Sequence, residues 1–230
     1  MSSRGGLLVS FEGVDGCGKS TQAEALCSRL VARGLPVGQA SAPGAVIREP
    51  GGTATGEALR EILLHGPDDG VAPWTEALLY AAARAQLVAE VLAPALAAGR
   101  VLVLDRFLDS SLAYQGFARG LGIDAVLELN RPGLQGLLPD LTFVLDVDPV
   151  VGLARVGAAP DRIEREGSAF QRRVREGFVE LAARFPERVR LVDGGRRPDL
   201  IAAEIEASVA PLLGSLHAEA AEAPRRDPRV

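Results

Sequence analysis

The chain's single lysine, Lys19, closes the run Gly13-Val14-Asp15-Gly16-Cys17-Gly18-Lys19 just before Ser20, a full match to G-x-x-x-x-G-K-[ST]. The chemistry this pattern supports is phosphate binding. Phosphate oxygens need backbone N–H donors that approach closely and point inward, which glycines at 13, 16 and 18 permit. Lys19 can reach the β- and γ-phosphates of a nucleoside triphosphate, and the Ser20 hydroxyl can ligate Mg²⁺. The context fits as well: Leu7 to Glu12 reads as a buried strand, and a helix opens near Lys19 with its N-terminus favouring anions. A glycine-rich turn without a ligand is the bland alternative, and the complete pattern in that context outweighs it. Cys17 reads as a small filler within the loop. The other 24 of the 25 basic residues are arginines, so the one ammonium stands where an ammonium is useful.

Other elements must position this loop. At 230 residues the chain fits one domain with a sizeable core. Its net charge of −5 argues against a general nucleic-acid binder, which would carry a basic face. No apolar run approaches the ~20 residues of a membrane span. The N-terminus has no secretory signal pattern, and two cysteines, Cys17 and Cys27, make no disulfide framework, which points to a cytoplasmic protein. Val101–Asp105 and Leu141–Asp146 are continuous apolar runs ending in aspartate. Arg188–Asp193 is a weaker strand, and another falls within Pro36–Arg48. Continuous apolarity implies strands covered on both faces, as in a parallel sheet. Helical patterns occupy 19–33, 56–65, 74–98 (bent at Pro94), 109–118, 123–137, 168–185 and 198–214. The alternation predicts an α/β fold with a five-stranded parallel sheet flanked by helices. Residues 215–230 read as a polar tail, without an aliphatic stripe from Ala218 onward.

The acceptor of a phosphoryl group is the next question. A GTPase would need an N-K-x-D element, and no second lysine exists to build one. Four blocks carry a resemblance instead. These are Phe11-Glu12-Gly13 through Thr21-Gln22; Arg48-Glu49-Pro50-Gly51-Gly52-Thr53; Asp105-Arg106-Phe107 with Ser110, Ser111 and Ala113-Tyr114-Gln115-Gly116; and Asp161-Arg162-Ile163-Glu164. In order and spacing the chain resembles the thymidylate kinases from about Leu7 to Leu213. The first block is shared by many families, whereas the second and third together are far more specific.

The resemblance implies a P-loop kinase domain over 1–214 that takes ATP and dTMP as substrates, uses Mg²⁺ and forms a homodimer, with no nucleic-acid or membrane partner. Gly13, Asp15, Gly16, Cys17, Gly18, Lys19, Ser20 and Thr21 would surround the ATP phosphates. Asp15 would also accept from the 3′-hydroxyl of the acceptor sugar. Arg106 would hold the monophosphate through paired, charge-assisted hydrogen bonds. Asp105, at the carboxyl end of its strand, would orient Arg106 or a Mg²⁺-bound water. Tyr80 stands where the family usually has phenylalanine stacked on the base, and Arg84, four residues on, would donate to a thymine carbonyl. Ser111 would meet the base edge and Tyr114 would crowd the 2′ position, with Gln115 beside them. Arg48 and Pro50 lie in the loop approaching the acceptor, and the resemblance implies a cis bond before Pro50. Dimerisation would use the helices over 74–98 and 109–118.

A short lid is implied over about 155–171. Where relatives carry an arginine inside the phosphate loop, this chain has Gly16, so a lid arginine must supply the cation. Arg155, Arg162 and Arg165 are candidates, with Arg162 first. Glu164 would reach Mg²⁺ through water; for Glu166 a solvated role is at least as fitting. The stretch Val156-Gly157-Ala158-Ala159-Pro160 is short and uncharged, a departure from basic lids of the family. Two rival readings remain: a kinase for another nucleoside or nucleotide, and a nucleotide-binding regulator that has lost transfer.

Overall fold

The computed structural model describes residues 5–66, 70–155 and 162–222, the side chains of Glu164 and of 215–222 excepted. Among the described residues there are seven strands: β1 (Leu7–Glu12), β2 (Gly38–Gln39), β3 (Ala42–Pro43), β4 (Ile47–Arg48), β5 (Val101–Asp105), β6 (Leu141–Asp146) and β7 (Val189–Asp193). Five of them form one parallel sheet in the order β4-β5-β1-β6-β7, while β2 and β3 make a small antiparallel hairpin. The expected five-stranded α/β sheet is thus observed. The strand foreseen within 36–48 resolves into the hairpin and the two-residue β4.

The central strands β1 and β5 are buried at every residue, as their unbroken apolar runs require. Edge strand β7 buries only Val189 and Val192 and exposes Arg190, Leu191 and Asp193. Register pairs Phe11 with Asp105 and with Phe143, so the carboxyl ends of β1, β5 and β6 lie side by side. The connections after β1 and after β5 leave toward opposite edges of the sheet, and ligand crevices in open α/β sheets form at such switch points.

The helices are α1 (Lys19–Ala32), α2 (Ala54–His65), α3 (Pro73–Leu87), α4 (Ala93–Ala97), α5 (Leu108–Ser111), α6 (Ile123–Leu134), α7 (Pro149–Leu153), α8 (Gly167–Arg184) and α9 (Pro198–Glu222). A π-turn over Val88–Leu92 joins α3 to α4 and sits just before Pro94, which has no N–H to give to a regular ladder. A second π-turn, Leu112–Ala118, continues α5. The expected helix over 109–118 is therefore mostly a widened turn. Helix α6 stops at Leu134, where Gln135 turns left-handed, short of the expected 137. Helix α9 runs to Glu222, beyond the expected 214, and 223–230 of the expected tail lie outside the described residues.

By length and composition alone the continuous stretch Pro73–Ala97 could cross a membrane. In this fold one side of it packs inward, with Leu87, Val88 and Leu92 fully buried and the charges of Glu76 and Arg84 buried too, while Trp74 and Leu78 are exposed.

Candidate active site

The loop between β1 and α1 is held by its own backbone and by a neighbour. Gly16 has φ +73°, and a Cβ there would stand 2.0 Å from the carbonyl oxygen of Gly152 in α7. No side chain fits that contact, which explains why this chain places no arginine within the loop. Lys19 Nζ donates to the carbonyl oxygens of Val14 at 2.8 Å and Gly13 at 3.2 Å. Cys17 is buried, as a filler should be. Along the start of α1 a cavity of about 470 Å³ is lined by Lys19, Ser20 and Thr21, with Arg155 and Arg196 at its rim.

On the other side of the loop lies a cleft of about 280 Å³. Asp15, Lys19, Arg48, Pro50, Tyr80, Arg84, Asp105, Arg106, Ser111, Tyr114 and Gln115 all line it, so the sequence-derived acceptor residues converge on one space. The Glu49–Pro50 bond is cis, as expected.

Arg106 follows β5 with φ +71°, an unusual conformation for a residue bearing a Cβ. Its backbone N–H donates to Phe11 O at 3.0 Å, which ties the turn to β1. The guanidinium donates to Asp15 and, from Nη1, to Gly13 O at 3.2 Å and Ser110 Oγ at 3.1 Å. It also stacks 5.2 Å from the ring centroid of Tyr114. Burial alone would raise the Asp15 carboxyl, but Arg106 and then Lys19 hold it below the ordinary aspartate value. Tyr114 and Gln171 donate to Asp15 Oδ2 at 3.4 and 3.0 Å. Burial also pushes Tyr114 well above its usual pKa, so its hydroxyl is a donor at neutral pH.

Beneath Arg106, Glu12 accepts from Phe107 N at 2.7 Å and Ser110 Oγ at 2.5 Å, which pins the turn after β5. Burial, reinforced by Asp109, lifts the Glu12 pKa to about 8.

Ser20 Oγ donates to Asp105 Oδ2 at 2.5 Å, so a hydroxyl and a carboxylate meet where the loop enters α1. No cluster of three His, Cys, Asp or Glu exists among the described residues. Two oxygen donors beside a phosphate cradle fit Mg²⁺, which keeps water and substrate phosphate for most of its shell. The side chain expected to join them, Glu164, lies outside the described residues.

Arg84 is 1% exposed, and its guanidinium donates to Glu49, to Asn130 Oδ1 at 2.6 Å, to Phe107 O at 3.1 Å and to Ser111 Oγ at 3.0 Å. It forms a fixed wall of the cleft. Ser111 is its acceptor.

Of the candidate lid arginines, Arg155 is exposed and its Nη1 lies 3.5 Å from Gly16 O, over the phosphate loop. Arg162 points elsewhere: Nε donates to Leu63 O at 2.8 Å and Nη2 to Glu76 Oε2 at 2.7 Å. Arg165 is exposed in the 3₁₀ turn Glu164–Glu166. Glu166, read as solvated, is exposed and also pairs with Arg119 at 2.6 Å.

Sequence reasoning missed Glu49, Glu76 and Gln171 as partners within the site. Glu49 stood inside a quoted block, and its place beside Arg48 was the one available signal; Glu76 had only its i−4 spacing from Tyr80.

A phosphate loop, a hydroxyl–carboxylate pair and an arginine-lined cleft at the carboxyl ends of a parallel sheet define a P-loop phosphotransferase. Comparison with known proteins narrows the class. A family profile described as thymidylate kinase matches residues 11–205. A thymidylate kinase of Pelotomaculum thermopropionicum is 50% identical over 199 residues, covering 85% of this chain and 89% of that protein. One from Bifidobacterium longum strain DJO10A is 48% identical over 207 residues, covering 89% and 97%. The crystal structure of the Ehrlichia chaffeensis thymidylate kinase superposes with a TM-score of 0.70 at 28% identity, covering 89% of this chain and 98% of that one. The chain belongs to the thymidylate kinase family.

Proposed function

We propose that the chain is an ATP-dependent dTMP kinase that transfers the γ-phosphoryl group directly to the 5′-monophosphate of dTMP, giving dTDP and ADP for dTTP synthesis. The observation that carries this reading is the junction at Asp15. Asp15 pairs with Arg106 and both line one cleft beside the phosphate loop, which supports reading the carboxylate as the acceptor for the sugar hydroxyl and the guanidinium as the holder of the monophosphate.

The acceptor phosphate is already ionised, so the site needs no general base. Catalysis is positioning plus neutralisation of charge on the transferring group. The backbone N–H groups of 13–20 and Lys19 cradle the donor phosphates, and Arg106 aligns the acceptor oxygen with them. Ser20 and Asp105, with Glu164 through water, would hold Mg²⁺, which would supply neutralising charge to the donor phosphates. Asp15 fixes the deoxyribose, Tyr114 fills the space of a 2′-hydroxyl, and Tyr80 stacks on the base. Arg84 and Ser111 form the polar base edge, with Arg48, Pro50 and Gln115 completing the walls.

Arg155 supplies the transfer-step cation, because it overlies the loop while Arg162 is held by Glu76 and Leu63 O. The enzyme works in the cytoplasm, in keeping with two buried free cysteines. It pairs as a homodimer through the outer face of α3, where Trp74 and Leu78 are exposed. The segment 108–118 takes no part in that interface, because it is almost wholly buried within its own chain.

ATP made chiral at a thio-substituted γ-phosphorus tests the direct transfer. Inversion in the dTDP product is expected; retention would require a phospho-enzyme and overturn the scheme.

A further inference from the structure

We infer that Glu76 is a positioning residue for the wall of the acceptor cleft that faces the base, an inference that rests on the acceptor reading above. Glu76 lies on α3 one turn before Tyr80 and two before Arg84, so the three share a helix face. Tyr80 and Arg84 line the cleft; Glu76, with no exposed surface, stands behind it.

One carboxylate there gathers three elements. Oε1 accepts from Gln115 Nε2 at 2.8 Å and from Arg119 Nε at 3.2 Å. Oε2 accepts from Arg119 Nη2 at 3.1 Å and from Arg162 Nη2 at 2.7 Å. Arg119 also pairs with Glu166 at 2.6 Å, so two arginines are balanced by two carboxylates. A buried carboxylate is tolerable only when paired in this way, and each partner is thereby fixed.

The fixed partners shape the cleft. Gln115 lines it directly. Arg162 uses its backbone N–H on Leu64 O at 3.2 Å and its Nε on Leu63 O at 2.8 Å, two carbonyls of the last turn of α2 that helix geometry leaves open. This clasp seats Leu64 and Ile163, two apolar residues of the cleft lining, against one another's elements. Arg119 stacks 4.6 Å from the centroid of Phe170, whose ring meets Tyr114 edge-on at 6.1 Å. From Glu76 the contacts therefore reach the base side through Gln115 and Ile163 and the sugar side through Tyr114. Among the described residues these contacts meet the phosphate loop only at Asp15, through Tyr114 and through Gln171, which follows Phe170 in α8.

That asymmetry separates positioning from general support. Calorimetric affinities for dTMP and for ATP·Mg²⁺ would be measured separately on wild type, Glu76→Gln, Arg162→Ala and Arg162→Lys. The expected result is a loss of dTMP affinity of about tenfold or more in Glu76→Gln and Arg162→Ala, with ATP affinity within about twofold of wild type. Arg162→Lys, which keeps a cation for Glu76 but loses the fork to Leu63, should fall between. The double variant Glu76→Gln/Arg162→Ala should be no worse than the poorer single one. Equal loss of both ligands, or full retention of dTMP binding by Glu76→Gln, would overturn the inference. Failure of wild type to bind dTMP would overturn the acceptor reading instead. In that event hydrogen exchange still decides: amides of 162–166 should exchange about tenfold faster in both variants while those of β1 do not change, and equal protection would refute the clasp.

Discussion

The two sides of the site are built by different means. The donor side centres on one uninterrupted stretch, 13–20, which works through backbone N–H groups, a single ammonium and the Ser20 hydroxyl, and which lends Asp15 to the acceptor side. The acceptor side draws on the ends of β4, β5 and α2, the inner face of α3, α5 and the π-turn at 112–118. A contiguous loop owes its geometry to glycines and to a helix N-terminus. An assembled wall owes its geometry to buried ion pairs such as Arg84–Glu49 and Arg162–Glu76. Damage to the donor side should therefore strike the chemical step, and damage to the acceptor side should strike binding of the monophosphate.

Lys19→Ala should break the donor side most severely, lowering kcat by about 10³-fold while the KM for dTMP moves little. Steady-state kinetics with both substrates varied would check this; a rise in the dTMP KM as large as the fall in kcat would erase the distinction. Arg106→Ala should do the converse, reducing kcat/KM for dTMP by about 10²- to 10³-fold with ATP affinity within about twofold. Arg155→Ala should lower kcat by about 10²-fold. Gly16→Arg should not restore the loss, because the carbonyl of Gly152 occupies the space of its Cβ. Rescue by that second change would mean that α7 yields.

The smallest effect concerns stability. Glu12 holds its proton to about pH 8 in the folded chain against 4.5 for an ordinary glutamate. Between those values the native state binds a proton that the unfolded chain has released, so stability from this group falls as pH rises. The loss is about 1.4 kcal/mol per pH unit and is complete above pH 8. Glu12→Gln, measured by urea unfolding from pH 5 to 8, should remove that slope; an unaltered slope would place it on another group.

The strands were readable because fully covered strands are unbroken apolar runs, and β1, β5 and β6 have the expected bounds. The phosphate loop was readable because its function lies in backbone conformation that particular residue types permit. Convergence of Tyr80, Arg84, Arg106, Ser111 and Tyr114 was legible through the resemblance. The partnerships that fix them were not. Glu49 and Arg84 lie 35 positions apart, and nothing local marks a carboxylate that will be buried against a guanidinium. Arg162 was assigned to phosphate because it lay in an arginine-rich stretch, whereas its side chain turns to α2 and α3. The contact between Gly16 and Gly152 depends on α7, which is too short to leave a periodic signal.

Formation of ADP from ATP·Mg²⁺ with dTMP, dUMP, UMP, CMP, AMP and GMP offered in turn tests the central claim most directly. The account predicts strong preference for dTMP, with turnover of dTMP falling steeply in Arg106→Ala. Preference for another monophosphate would keep the phosphotransferase and contradict the base wall. Tight ATP binding with no acceptor-dependent ADP release would contradict the account as a whole.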